Sequence, residues 1–180
     1  MIETPQSVLA FWRAAGPKQW FNKDAAFDDE VRARFLPTHE AAAAGQLADW
    51  ERTAEGALAL VIALDQFPRN IFRGSARAFA ADPLAREAAD RAIAKGFDQE
   101  APATERGFFY LPCMHSERLD DQERCVSFYR ALGDPEGLKY AELHLDIIRK
   151  CGRFPHRNAA LGRATTAEEQ AFLDSGGFAG

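Results

Sequence analysis

At 180 residues, with 47% hydrophobic and 11% aromatic side chains, the chain is long enough to bury a core and too apolar for a disordered class. A formal net charge of −5 argues against a general nucleic-acid binder. The longest strongly apolar run, 57–64, is far too short to span a bilayer, so neither nucleic acid nor membrane is an expected partner.

The predicted elements are all helical, because start and stop signals recur with helical periodicity between them and no stretch alternates like a strand. Thr4 caps a first helix, with Pro5 in its first turn and Gly16-Pro17 as its stop. Asp24 opens a second, in which Phe27, Val31 and Phe35 share one face, and Pro37 is expected to kink or break it. A short helical piece near 47–50 leads to Thr53, which caps the apolar helix through Leu58, Val61, Ile62 and Asp65. Asp82-Pro83 reads as a cap and first position for a helix that stops at Gly96. Ala101-Pro102 starts the next, through Phe108 and Phe109 to Pro112, and Asp120 or Asp121 opens another that ends at Gly133. Pro135 begins a long helix with Leu138, Ala141, Leu145 and Ile148 on one face and Gly152 at its end. Thr165-Thr166-Ala167-Glu168 reads as a capping box before Phe172-Leu173, and 175–180 as a frayed tail. About eight helices with short connections make an all-α domain of antiparallel pairs, a single domain over 1–180.

Two phrases stand at predicted helix ends and resemble each other: Asp65-Gln66-Phe67-Pro68-Arg69-Asn70-Ile71-Phe72-Arg73-Gly74, and Gly152-Arg153-Phe154-Pro155-His156-Arg157-Asn158. Proline after phenylalanine favours an extended backbone that swings the following side chains out of the helix line. Asn tolerates left-handed geometry and makes a corner, and Arg offers a rigid fork that matches carboxylate or phosphate. The segments 69–77 and 145–163 hold eight basic groups against one acidic, which leaves a balance of −12 elsewhere. Two readings stay open. In one, Phe67 and Phe154 plug the core, Asn70 and Asn158 cap local backbone and the Arg groups bind helix carbonyls. In the other, Arg69, Arg73, Arg153 and Arg157 converge on an anion.

Between the elbows lies His115-Ser116-Glu117, where His beside a carboxylate would make a proton-transfer pair if the groups face one another. Gln122 and Glu123 follow at the start of the next helix. The candidate ligand set is therefore Asp65, Arg69, Asn70, Arg73, His115, Glu117, Gln122, Glu123, Arg153, His156, Arg157 and Asn158, with His115, Glu117 and His156 as candidates for any proton transfer. His39 and His144 read as ordinary helix residues, His39 at the surface. No HExxH, Gly-rich phosphate loop or nucleophile elbow is present, so no metal and no cofactor is expected; a folded trio of His115, Glu117 and His156 is the one metal arrangement that spacing leaves open. The odd set Cys113, Cys125 and Cys151, without a CxxC, fits buried thiols in a reducing compartment. With no basic leader-like start, a cytoplasmic address is expected.

The elbow phrases, His115-Ser116-Glu117, Gln122-Glu123, the opening Val8-Leu9-Ala10-Phe11-Trp12 and the closing Phe172-Leu173 resemble the bacterial family called domain of unknown function 924, over nearly the whole chain. The resemblance implies a tetratricopeptide-like all-α fold and carries no established activity. It departs at Arg13-Ala14-Ala15-Gly16, where another aromatic and an earlier glycine are expected. The functions to weigh are a small anionic ligand held by the elbows and the His-Ser-Glu segment, a helical adaptor for a peptide or protein partner, and a purely architectural role for the elbows.

Overall fold

Helix caps decide where this chain starts and stops its elements. The computed structural model describes residues 1–178, and among them no strand occurs. α1 (Pro5–Ala15) begins where the Thr4 hydroxyl accepts from the Ser7 N–H, and it buries Val8, Leu9 and Trp12. α2 (Pro17–Trp20) is a single turn. α3 (Ala25–Ala43) is capped by Asp24, whose carboxylate accepts from the Ala26 and Phe27 N–H groups.

The expected break at Pro37 does not occur, and α3 runs on to Ala43. A proline forfeits one main-chain hydrogen bond. Against that, α3 buries Phe27, Val31 and Phe35 before Pro37 and Thr38, His39, Ala41 and Ala42 after it. Packing of both halves decides the outcome. His39, expected at the surface, is buried, with Nδ1 2.9 Å from the Ala63 carbonyl.

A 3-10 turn (Ala48–Arg52) leads into α4 (Ala54–Asp65), capped by Thr53 and buried at every residue from Gly56 to Asp65. A helix that is apolar all round belongs inside a core. α5 (Phe67–Ile71) follows at once. Pro68 lies in its first turn, where a missing N–H costs nothing, so the first elbow is helical and not extended as expected. α6 (Asp82–Ala94) takes Asp82 as its first residue, and no side chain caps it. The Asp82 carboxylate instead meets Arg69, which explains why the expected cap is missing.

α7 (Phe97–Glu100) precedes α8 (Ala103–Met114), which continues through Pro112 and past the expected stop. α9 (Leu119–Leu132) and α10 (Pro135–Cys151) follow, then a 3-10 turn (Pro155–Arg157) and α11 (Ala167–Asp174). The α11 capping box is present one register later than expected, between Thr166 and Glu169. The expected fraying covers 175–180, of which 179–180 lie outside the described residues. Eight of the helices have at least seven residues, in agreement with the all-α expectation. No helix among the described residues is long and apolar enough to cross a membrane.

Contacts divide the chain into two compact units. Among the described residues, the first comprises Met1–Arg73 and Arg77–Pro112, the second Gly74–Ala76 and 113–178. In the first, α4 packs against α1, α3, α5 and α6. Its aromatic seam joins Trp12 to Phe67 and Phe108 edge-on, each with ring centres 5.8 Å apart, and stacks Phe35 on Phe67 at 4.6 Å. In the second, α9 and α10 form a hairpin through Gly133, whose φ of +74° needs a residue without a side chain. Phe154 plugs that unit, fully buried against Ile147 and Ile148.

Candidate functional site

The first elbow lies in the first unit, where its guanidinium groups meet carboxylates. Arg73 holds Asp28 with both arms of its fork, Nε to Oδ2 at 2.6 Å and Nη2 to Oδ1 at 2.7 Å. Asn70 Nδ2 adds a bond to Asp28 Oδ1 at 2.8 Å. Burial works to raise the Asp28 carboxyl, but Arg73 and Asn70 outweigh it and hold it below the usual range. Arg69 Nη1 lies 3.0 Å from Asp82 and 3.3 Å from the fully buried Asp65, and donates to the Asp65 carbonyl. Burial pulls the Arg69 guanidinium down, and Asp65 and Asp82 reverse that and raise it. Arg69 and Arg73 thus stand against three acids. This elbow clamps α3, α5 and the start of α6 together.

The second elbow lies in the second unit and is built differently. Gly152 ends α10 in the left-handed region, and Phe154 is extended, as the proline after it dictates. Asn158 is right-handed helical, and no residue other than glycine has positive φ among those described, so neither asparagine makes the expected left-handed corner. Their side chains carry the bonds instead. Asn158 Nδ2 donates to Glu169 at 3.1 Å and its Oδ1 accepts from Arg163 at 3.0 Å.

Glu117 reaches into this elbow from the turn after α8. It accepts from the Phe154 N–H at 2.8 Å and from Arg163 through both nitrogens, at 2.7 and 3.0 Å. Burial would raise the Glu117 carboxyl, but Arg163, the Phe154 N–H and the charge of Arg157 keep it low. Arg153 holds Glu169 at 2.6 and 2.9 Å, and that bond, with the Thr166 N–H, lowers the Glu169 carboxyl to about 2. Arg157 is buried, its guanidinium carbon 4.7 Å from the centre of the Phe154 ring. Arg157 is thus the third guanidinium of this elbow, beside the Arg153–Glu169 and Arg163–Glu117 pairs.

His156 is half-buried here, and its Nδ1 is shielded from solvent with no hydrogen-bond partner in the described structure. Burial, then the charges of Arg157 and His144, push its pKa down to about 3; Glu117 opposes and His115 adds to the shift. The ring is therefore neutral near pH 7. His144, also buried, bonds the Tyr140 carbonyl through Nδ1 at 2.8 Å and packs on Phe154 at 5.4 Å.

Of the sequence candidates, His115, Glu117, His156, Arg157, Arg153 and Asn158 are thus neighbours in the second unit. Gln122 belongs to the same unit but serves the backbone: its Nε2 donates to the carbonyls of Met114 and Ser116 at 2.7 and 2.6 Å, closing the end of α8. Glu123 points outward and pairs with Arg149 at 3.1 Å. Asp65, Arg69, Asn70 and Arg73 form the clamp of the first unit. Arg163, which follows the second phrase closely in sequence, Glu169 and His144 were not among the candidate ligand residues. Glu169 had a signal in the capping box; His144 had none beyond its helical spacing from Ile148. No cluster of metal-ligating side chains occurs among the described residues.

A helical protein whose polar residues gather at a helix-terminating elbow, around a buried arginine and a neutral histidine, is what the fold and geometry define. The chain belongs to the family described as bacterial protein of unknown function (DUF924), whose model matches residues 8–177. It is similar to the solved structure of a protein of unknown function, ATU0120 from Agrobacterium tumefaciens, at 47% identity and a TM-score of 0.92, over 95% of this chain and 97% of that one. No curated protein matches it.

Proposed function

We propose that this protein binds a small anion at the second elbow, with Arg157 supplying charge and His156 Nδ1 a hydrogen bond. The observation that carries this reading is the shielded, partnerless Nδ1 of a neutral imidazole beside a buried guanidinium. Buried polar atoms are ordinarily satisfied, and an exception is a place where a ligand atom fits. A ring with a pKa near 3 serves as a hydrogen-bonding group at neutral pH, not as a proton carrier. Glu117 and Glu169 act as internal counter-ions that hold Arg163 and Arg153 in place, so the elbow keeps its shape as charge arrives.

The test is thermal stability across a panel of phosphates, carboxylates and nucleotides. At least one anion at millimolar concentration is expected to raise Tm, and His156→Phe, which keeps a ring in place, to lose most of that rise. Arg157→Lys is a second variant that retains charge without the fork. A folded wild-type chain that no panel member stabilises refutes the reading.

A second reading rests on a different feature, an open groove of about 400 Å³ along α9 and α10. It is lined by the ion pairs Arg130–Glu142 and Arg149–Glu123 together with Val126 and Leu145. Such a groove suits a peptide of mixed charge, as in a non-catalytic, tetratricopeptide-like adaptor. Charge reversal at Arg149 is expected to weaken a captured peptide while leaving anion stabilisation unchanged.

A further inference from the structure

One further ring packs beside the His156 imidazole. Phe178, four residues beyond the end of α11, lies with its ring centre 4.7 Å from that of His144 and 5.4 Å from that of His156. It also packs on the apolar cluster of Ile147, Ile148 and Phe154. Phe154 itself meets His144 at 5.4 Å and His156 at 5.6 Å. Three rings, those of His144, Phe154 and His156, thus surround a fourth, and the same His156 carries the partnerless Nδ1.

The connection to this ring is short and pliant. Gly176 adopts φ +81°, and Gly177 follows it, bonded to the Phe172 carbonyl. Two successive glycines leave the backbone ahead of Phe178 with wide conformational freedom. A ring slot lined by the imidazoles of His144 and His156 and a phenyl ring, next to a buried guanidinium, matches a planar apolar body with a negative group at its edge.

Resting on the anion reading, we propose that the ligand is an aryl anion, an aromatic ring bearing a carboxylate or phosphate. Its ring takes the place of Phe178 against His144, Phe154 and His156, and Phe178 swings out on the Gly176-Gly177 hinge. Phe178 is thus a built-in competitor: it keeps the slot filled and sets a threshold that ringless anions do not need to cross. One ring leaves as another enters, so aromatic burial is exchanged and not lost.

Calorimetric titration of inorganic phosphate and phenyl phosphate into wild type and Phe178→Ala tests this. Phenyl phosphate is expected to bind the variant roughly tenfold more tightly than wild type, because nothing has to be displaced. Inorganic phosphate is expected to bind both equally and more weakly. Phe178 stands outside every helix, so the variant is expected to fold, and its melting curve is recorded first. A 4-fluorophenylalanine at position 178 gives an independent readout, a fluorine resonance that shifts when phenyl phosphate, and not inorganic phosphate, is added. If inorganic phosphate binds but phenyl phosphate shows no preference for the variant, the aryl proposal fails alone. If neither compound binds either protein, the anion reading falls and takes this proposal with it.

Discussion

Gly56 lies in the first turn of α4, where its N–H bonds the Thr53 hydroxyl at 3.1 Å. A methyl group there would run into the Trp50 carbonyl oxygen and sit 3.0 Å from Thr53 Oγ1. The Trp50 contact is backbone, so relief requires the 3-10 turn before the helix to move. In an open helix, replacing glycine by alanine adds up to about 1 kcal/mol of stability. Here Gly56→Ala is expected to do the opposite and cost about 2 kcal/mol, the scale of an overpacked site. Urea unfolding of the two proteins decides it, and a variant as stable as wild type would show that the turn yields freely.

At the scale of elements, the Arg73 side of the first elbow's clamp rests on one carboxylate. Asp28 on α3 takes three hydrogen bonds from Asn70 and Arg73, which belong to α5 and the residues just after it. Asp28→Ala leaves both donors facing a site with no acceptor, a loss of about 2 kcal/mol for a partly exposed pair. Removing Arg73 as well is expected to cost little more, since the two residues act as one unit; additive losses in a double-mutant cycle would contradict the clamp. This clamp also marks the limit of what the sequence reveals. Thr4, Asp24 and Thr53 were readable as caps because each acts on the next two or three residues. The partners of Arg73 lie 45 positions away, and nothing local points to them. Pro37 misled for the same reason: a local breaking signal was outweighed by burial on both sides of it. The second elbow was more legible, because Arg153, His156, Arg157 and Asn158 come from one short stretch, although Arg163 and Glu169, which hold Asn158 and Arg153, stood outside the candidate set.

For the whole molecule, counting charges along the chain is a poor guide to charge in space. Both Arg-rich segments looked positive in sequence, yet Asp28, Asp65 and Asp82 surround the first, and Glu169 and Glu117 meet Arg153 and Arg163 of the second. The same packing dictates how stability depends on pH. His156 and His39 both have pKa values pushed down by burial, His156 to about 3. His156, once unfolded, takes up a proton near pH 6.5, while its folded ring stays neutral until about pH 3; burial of His39 acts in the same direction. The unfolded state therefore binds more protons in that window, and stability falls as pH drops through it. The depressed carboxyls of Asp28, Glu117 and Glu169 act in the same direction, but their contribution is lost only below about pH 4.5, where unfolded carboxylates begin to protonate. Between pH 7.5 and 5 the histidines consequently dominate, with His156 accounting for up to about 2 kcal/mol at pH 5. His156→Phe removes that proton site while keeping a ring against Phe154 and Phe178. The variant is expected to melt with a visibly shallower dependence on pH over this range than wild type. Parallel curves would mean that the folded His156 ring takes up its proton over the same pH range as the unfolded one, and with that would go the shielded, neutral hydrogen-bonding group on which anion recognition depends.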